Sequence, residues 1–219
     1  MKFIGITGGI GAGKSTVLDY IRANYSCVIY LADDVAKELE APGMPVYREL
    51  VELLGEEILS KEFGVDPADQ QEGLKLRPID THKMAKKIFA DESLLKAVNA
   101  IVHPAVRIYL TQRLEEERSS GKTELFFVEA ALLIEAGYRE FVDEMWYIYA
   151  DPETRMERLM KNRGYSRDKA AGIMERQLSD EEFRSTCDII IDNSGEPEET
   201  YRQIREILGD PKGETVWPE

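Results

Sequence analysis

A glycine-rich segment close to the N-terminus constrains this chain more than any other feature. Residues 8–16 read GGIGAGKST and fit the pattern G-x-x-x-x-G-K-[ST] of a phosphate-binding loop. The segment lies between residues 2–6, an apolar run that predicts a buried strand, and residues 14–24, which predict a helix. Glycines let the backbone curl so that its N–H groups point at phosphate oxygens, and the helix N-terminus adds partial positive charge. The sequence therefore predicts a nucleoside triphosphate site at this loop.

Individual residues of the loop have separate expected tasks. Lys14 can reach the β- and γ-phosphates, and the Ser15 hydroxyl can bind Mg²⁺. The residues expected to bind the nucleotide are Gly8, Gly9, Gly11, Ala12, Gly13, Lys14, Ser15 and Thr16.

Length and charge exclude several other classes of protein. A chain of 219 residues can form one core with an inserted subdomain. No apolar run approaches the roughly 20 residues of a membrane span, and no apolar leader precedes the first strand, so we expect a cytoplasmic protein without a membrane partner. The net charge of −14 repels nucleic acid, which argues against a polynucleotide partner.

Strand and helix patterns alternate along the chain, which predicts an α/β fold with right-handed crossovers and a parallel sheet. We expect the three-layer fold of P-loop NTPases with a five-stranded parallel sheet. The apolar, β-branched runs that predict strands after the first one are residues 27–31, 124–129, 145–149 and 186–192. The later predicted helices are residues 44–59, 80–90, 91–117, 152–162, 167–178 and 198–208.

The mainly helical stretch 34–120 is too long for one crossover helix, and we interpret it as an inserted acceptor-binding domain. Within it, residues 61–78 are rich in glycine, proline and polar residues and predict an exposed loop. Residues 164–178 are predicted to form a lid region, and residues 209–219 a frayed tail. The predicted core then consists of residues 1–33, 121–163 and 179–208.

Two carboxylates follow predicted strands at the sheet edge where ligands bind in α/β proteins. Asp33 comes directly after the second strand, where a carboxylate could accept the proton of an acceptor hydroxyl; the alternative is a helix N-cap. Glu129 ends the third strand, where it could hold Mg²⁺ directly or through water. A solvent-exposed or ion-paired carboxylate is the alternative for Glu129.

Basic residues on the predicted helix 152–162 and just beyond it could neutralise charge on a transferring phosphoryl group. We expect this role for Arg158 and Arg163, with a hinge in the segment that begins at Gly164. For Arg155 we expect an ordinary position on a solvated helix face.

Two further segments are ambiguous from sequence alone. His103 and Pro104 interrupt the helical stretch, with Pro104 suited to the first turn of a new helix, and His103 could contact an acceptor or be an ordinary core or surface residue. Asn193 lies in the segment IDNSG that closes the fifth strand. Its amide and neighbouring backbone could read an adenine edge, although Asn-Ser-Gly also suits a plain turn.

These segments occur together in an order that closely resembles the dephospho-CoA kinase family. The resemblance covers residues 1 to about 208, and its loop form TGGIG-x-GKST is narrower than the generic pattern. The segments that carry it are TGGIGAGKST at 7–16, AD at 32–33, VHP at 102–104, LLIE at 132–135, the helix that bears Arg158 and Arg163, Gln177, and IDNSG at 191–195.

The resemblance implies a kinase of the nucleoside-monophosphate-kinase type, with a parallel core, a helical CoA-binding domain and a lid. Such an enzyme uses ATP and Mg²⁺ to phosphorylate the ribose 3′-hydroxyl of dephospho-CoA, giving CoA and ADP in the last step of CoA synthesis. It also implies Asp33 as catalytic base, Lys14 on the phosphates, and Arg158 or Arg163 on the lid side. We expect a monomer. The residues expected on the acceptor side are Asp33, His103, Leu132 and Glu135.

The chain departs from the family pattern at three places, so rival interpretations stay open. Leu31 stands where an Asp is common, Thr81 where an Arg is common, and Ala130-Ala131 where a proline usually precedes the Leu-Leu pair. The rivals are a P-loop kinase for another small alcohol or nucleotide, and a non-catalytic nucleotide-binding protein.

Overall fold

The computed structural model describes residues 1–61, 77–211 and 213. Residues 62–76 of the predicted exposed loop, and residues 212 and 214–219 of the predicted tail, lie outside the described residues. The strands are β1 (Lys2–Thr7), β2 (Cys27–Leu31), β3 (Leu125–Glu129), β4 (Glu144–Tyr149) and β5 (Ile189–Asp192). The α-helices are α1 (Lys14–Asn24), α2 (Ala32–Leu39), α3 (Pro45–Leu54), α4 (Thr81–Phe89), α5 (Glu92–Ser120), α6 (Pro152–Arg163), α7 (Arg167–Met174), α8 (Asp180–Thr186) and α9 (Pro197–Leu208).

The strands form one parallel sheet in the order β2-β3-β1-β4-β5, which confirms the predicted α/β fold. Strand β1 is central, with β3 on one side and β4 on the other. The chain leaves β1 toward β2 and leaves β4 toward β5, so the connections diverge at the carboxyl ends of these two neighbours. Ligands of open α/β sheets bind at such a divergence. The predicted phosphate loop, which follows β1, therefore lies at the expected position.

Helices cover both faces of the sheet. On one face, Trp146 belongs to a fully buried cluster with residues of α1 and α9, where the rings of Tyr20 and Tyr201 stack with centroids 4.0 Å apart. On the other face, Tyr147 of β4 stacks on Phe183 of α8 at 4.6 Å. Apolar burial on both faces fits the hydrophobic runs of the central strands, because a buried parallel sheet has no polar face.

The chain divides into two compact units, one formed by Met1–Leu31 with Leu114–Glu219 and the other by Ala32–Arg113. The first contains the sheet. The second is helical, and its own core includes Leu50 of α3 and the nearby Ile58, both almost completely buried. Among the described residues, no helix combines the length and the apolar character needed to cross a bilayer.

Helix α5 contradicts the prediction of a break at Pro104. It runs without interruption from Glu92 to Ser120 with Pro104 inside it. A proline lacks the backbone N–H donor and therefore destabilises the interior of a helix, but the packing of buried side chains before and after Pro104 outweighs that cost. One stripe of buried residues at i,i+4 spacing continues past the proline: Val98, Val102, Val106 and Leu110.

Helix α8 was not predicted, and the predicted strand 186–192 is correspondingly too long. The strand begins only at Ile189, because Asp180–Thr186 is helical. The helix begins with a capping box in which the Ser179 hydroxyl accepts from the Glu182 N–H and the Glu182 carboxylate accepts from the Ser179 N–H. The pattern Ser-x-x-Glu is visible in the sequence and was the signal for this helix.

The capping box generates a stability prediction. Ser179→Ala removes the hydroxyl that satisfies an N-terminal amide of α8, and should lower the free energy of unfolding by about 1 kcal/mol in urea denaturation. Ser185→Ala is the matched control, because its exposed hydroxyl bonds only to the Glu182 carbonyl within the same helix. That control should change stability by less than about 0.5 kcal/mol. Equal effects of the two substitutions would contradict the role of the cap.

Candidate active site

The phosphate loop links β1 to α1, and two of its glycines have steric reasons to be glycine. Gly13 immediately precedes α1 in the left-handed conformation, with φ 84° and ψ 32°, and has no side chain with which to cap the helix. A Cβ atom on Gly13 would overlap the amide nitrogen of Asn193, and one on Gly8 would overlap the carbonyl oxygen of Ile148. The loop backbone at Gly8 and Gly13 is thus in close contact with Ile148 and Asn193.

Lys14 contacts both the backbone of the loop and the carboxylate of Glu129. Its Nζ donates to the Gly8 carbonyl at 2.8 Å and lies 3.4 Å from Oε1 of Glu129. Glu129 ends β3 level with Ile6 of β1, so the register of the sheet brings its carboxylate to the loop. Both side chains are mostly buried, at 15% and 17% exposure, which strengthens their attraction relative to a surface pair.

Ser15 and Thr16 occupy the first turn of α1, directly after Lys14. The Ser15 side chain is exposed and Thr16 is half-buried. Ser15 and Glu129 therefore present a hydroxyl and a carboxylate, which are hard oxygen ligands of the kind Mg²⁺ prefers.

Arg155 contacts the loop, and its expected placement on a solvated helix face is wrong. Its Nε donates to the Ile10 carbonyl at 2.9 Å and one Nη donates to Oε1 of Gln177 at 2.6 Å. The same Gln177 oxygen accepts the Ile10 N–H at 2.9 Å. Burial lowers the pKa of the Arg155 guanidinium below its ordinary value, although Tyr147 and other acidic groups oppose this. Both polar groups of Ile10 are thereby bound by side chains distant in sequence.

Arg158 and Asn193 both donate to the Ala12 carbonyl of the loop. One Nη of Arg158 donates to the Asn193 carbonyl at 2.9 Å, and the other lies 3.4 Å from the Ala12 carbonyl oxygen. The Asn193 amide nitrogen donates to the same Ala12 oxygen at 2.7 Å. Asn193 is only 3% exposed, so its side chain is committed to the loop backbone.

Arg163 is placed differently from Arg158, at the end of α6. Its side chain is exposed, and the helix terminates at Gly164 in the left-handed conformation with φ 63°. Helix α7 follows after a short connection. The two arginines singled out in the sequence are therefore one loop-contacting residue and one solvent-exposed residue beside a turn.

Leu132 and Glu135 lie on a compact turn after β3. Backbone hydrogen bonds from Ala136 to Leu132 and from Tyr138 to Leu133 close this turn. Leu133 points inward and is completely buried, whereas Leu132 is 54% exposed and Glu135 is exposed. Both predicted acceptor-side residues are thus accessible.

The remaining candidates belong to the helical unit Ala32–Arg113. Asp33 is exposed in the first turn of α2, two residues after the last residue of β2, and is therefore not an N-cap. Its neighbour Asp34 pairs with Lys37 at 2.8 Å. His103 is half-buried within α5, and burial, followed by the charge of Arg107, lowers the pKa of its imidazole.

The positions that depart from the family pattern have ordinary structural surroundings. Leu31 packs against the buried cluster under the sheet. Thr81 begins α4, where Asp80 caps the helix by accepting from the His82 and Lys83 N–H groups.

Gln177 and Thr200 are polar residues at the site to which the sequence analysis assigned no role. Gln177 was visible as part of the resemblance, whereas nothing in the sequence pointed to Thr200.

Comparisons with known proteins agree with the geometry. A model of the dephospho-CoA kinase family matches residues 2–199. A dephospho-CoA kinase from Geobacter sulfurreducens is 40% identical over 207 residues, 94% of this chain and 97% of that protein. One from Carboxydothermus hydrogenoformans is 34% identical over 95% of this chain and 93% of that protein.

A solved structure shares the fold of this chain. A crystal structure from Thermus thermophilus superposes with a TM-score of 0.73 at 29% identity, covering 94% of this chain and 96% of that one. Because the family model spans nearly the whole chain and curated relatives exceed 30% identity over almost their full length, the chain belongs to the dephospho-CoA kinase family.

Proposed function

We propose that this member of the dephospho-CoA kinase family transfers the γ-phosphoryl group of ATP to the ribose 3′-hydroxyl of dephospho-CoA, with the loop after β1 as its ATP site. The products are CoA and ADP, and the reaction is the last step of CoA biosynthesis. The observation that carries the residue assignments is the loop itself, whose Lys14, the first residue of α1, lies 3.4 Å from the carboxylate of Glu129. The protein is further proposed to act as a cytoplasmic monomer.

Lys14 and the loop backbone are assigned to the phosphates of ATP. The transferring phosphoryl group spreads negative charge over its oxygens, and a buried ammonium together with backbone N–H groups stabilises that charge. Lys14 lies between the Gly8 carbonyl and Glu129 at the start of α1. We assign the nucleotide contacts to Gly8, Gly9, Gly11, Ala12, Gly13, Lys14, Ser15 and Thr16.

Ser15 and Glu129 are assigned to Mg²⁺. Magnesium keeps several waters and binds nucleotide phosphates with only one or two protein oxygens, so a hydroxyl and one carboxylate suit it. When bound, the ion supplies positive charge to the phosphates during transfer.

Asp33 is assigned as the catalytic base. The acceptor O3′ forms a bond to the γ-phosphorus while the bond from that phosphorus to the β,γ-bridging oxygen breaks, and ADP leaves with the electron pair. The hydroxyl proton passes to the Asp33 carboxylate. Its exposure and its position just beyond β2 support this role.

The acceptor is assigned to the helical unit and to the turn after β3. His103, held in α5, and the exposed Leu132 and Glu135 are the proposed contacts with dephospho-CoA. The region 164–178 is the proposed lid, with Arg163 at its edge. Arg158, which touches the loop backbone, is proposed to add positive charge to the same site.

A purified-enzyme assay tests the proposed function. ADP should be released with ATP, Mg²⁺ and dephospho-CoA, in step with new CoA. AMP, adenosine or pantetheine in place of the acceptor should give only background ADP. A large preference in kcat/KM for another alcohol would instead identify a different kinase, and ATP binding without turnover would identify a non-catalytic protein.

Asp33→Asn tests the base assignment. The amide cannot accept the proton, so kcat should fall by at least ~10²-fold while ATP still binds. Asp34→Asn is the matched neighbour, because Asp34 faces Lys37 in solvent and should leave kcat within about twofold. A near-normal kcat for Asp33→Asn, measured by coupled ADP release, would rule out this role.

Arg163→Ala tests the lid assignment. If the guanidinium neutralises the transferring group, kcat should drop by about tenfold or more while the Kd for ATP changes little. Lys161→Ala is the control, an exposed cation on the last turn of the same helix. A change confined to KM, or an equal effect of the two substitutions, would argue against a specific role for Arg163.

A further inference from the structure

Three polar side chains are fully buried among the residues that the structure describes: Thr7, Asn193 and Thr200. Two of them are bonded to each other, since the Thr200 hydroxyl donates to Oδ1 of Asn193 at 2.9 Å. Burying polar groups is costly unless they are hydrogen-bonded, and both the oxygen and the nitrogen of the Asn193 amide have a partner. The pair therefore has a defined orientation, with the amide nitrogen directed at the phosphate loop.

The main target of that amide is the peptide unit of the loop that joins Ala12 to Gly13. Its nitrogen donates to the Ala12 carbonyl at 2.7 Å and lies 3.5 Å from the Gly13 carbonyl oxygen. In a planar trans peptide the C=O and the next residue's N–H point in opposite directions. A side chain that holds the Ala12 carbonyl toward the protein interior therefore turns the Gly13 N–H outward, to the side where phosphate binds.

We propose that Asn193, oriented by Thr200, is a positioning residue that aims the loop N–H groups at the triphosphate, and that its side chain does not read the adenine base. The inference rests on the proposed function only in taking this loop as the ATP site. Gly13 has no side chain, so the amide packs directly against its Cα, and any movement of Asn193 is transmitted to the loop.

The hydrogen bonds and the burial of the Asn193 side chain distinguish this positioning role from recognition of the adenine base. An amide that recognises adenine must present its own donor and acceptor to the ligand, whereas here both are bound to protein and the side chain is 3% exposed. Arg158 adds a second donor near the same Ala12 oxygen and binds the Asn193 carbonyl at 2.9 Å. The two residues therefore hold the same peptide unit.

The deciding experiment compares ligands with and without a base. Calorimetry measures the binding of Mg²⁺-ATP and of inorganic tripolyphosphate to the full chain and to Asn193→Asp, which keeps the side-chain shape but replaces the donor by a carboxylate facing the Ala12 carbonyl. Both affinities should fall by the same factor, roughly tenfold. A loss for ATP with unchanged tripolyphosphate binding would overturn the inference in favour of base reading, and unchanged binding of both would overturn it outright.

Two further variants separate positioning from general destabilisation. Thr200→Val should lower the affinities for ATP and tripolyphosphate by the same factor, and by less than Asn193→Asp does. Thr200→Ser keeps the hydroxyl and should bind both ligands within about twofold of the unsubstituted protein. Gln203→Ala is the matched control on the same helix. Gln203 bonds the N–H and C=O of Asp192 at 2.9 Å each without touching the loop, so its loss should lower Tm but leave tripolyphosphate binding unchanged.

The outcomes also separate this inference from the proposed function. Equal loss of ATP and tripolyphosphate binding supports the positioning role even if dephospho-CoA is not phosphorylated. Loss of tripolyphosphate binding in Gln203→Ala to the same degree as in Asn193→Asp would reduce the effect to stability and contradict the inference.

Discussion

A phosphate loop must direct several N–H groups toward one ligand, and so its carbonyl oxygens must be satisfied elsewhere. In this protein, side chains donate hydrogen bonds to those carbonyl oxygens. Lys14 binds the Gly8 carbonyl, Arg155 binds that of Ile10, and Asn193 binds that of Ala12. Because buried carbonyls without partners are costly, these contacts both stabilise the loop and select its direction. The rest of the site depends on this constraint.

The sheet explains how distant segments reach the loop. Strand β1 lies between β3 and β4, so the loop that follows β1 is beside Glu129 at the end of β3 and beside the chain that enters α6 after β4. Strand β5 pairs with β4 and delivers Asn193 one residue beyond its end. Parallel pairing alone therefore gathers residues from four parts of the sequence at one edge.

Charge at the site is local and differs from that of the whole molecule. The chain carries a net charge of −14, yet Lys14, Arg155 and Arg158 all contact the loop or its carbonyls. A buried or half-buried cation acts in a lower dielectric than one at the surface, so a few such groups can attract a nucleotide against an unfavourable overall field. The acidic surface is then compatible with an anionic substrate.

Most of the fold could be predicted, and the errors have physical causes. The five strands were placed from apolar runs, since strands of a buried parallel sheet are continuously hydrophobic. Helix α8 was missed because the Ser179 capping box was not used as a signal, and Pro104 was given too much weight against a buried stripe that continues beyond it. At Pro104, tertiary packing outweighed the intrinsic preference that guided the prediction.

By itself, the sequence determined the nature of the loop, the order of the strands and of most helices along the chain, and the candidates Lys14, Ser15, Asp33 and Glu129. These follow from local patterns, because a loop motif and a hydrophobic period are readable within a few residues. Only the tertiary structure decided that Arg155, Gln177 and Asn193 hydrogen-bond to the loop backbone, and that Thr200 orients Asn193. Their contacts join residues as much as 181 positions apart, and a hydrogen bond at that separation is set by the pairing of strands and the packing of helices, which no local pattern contains.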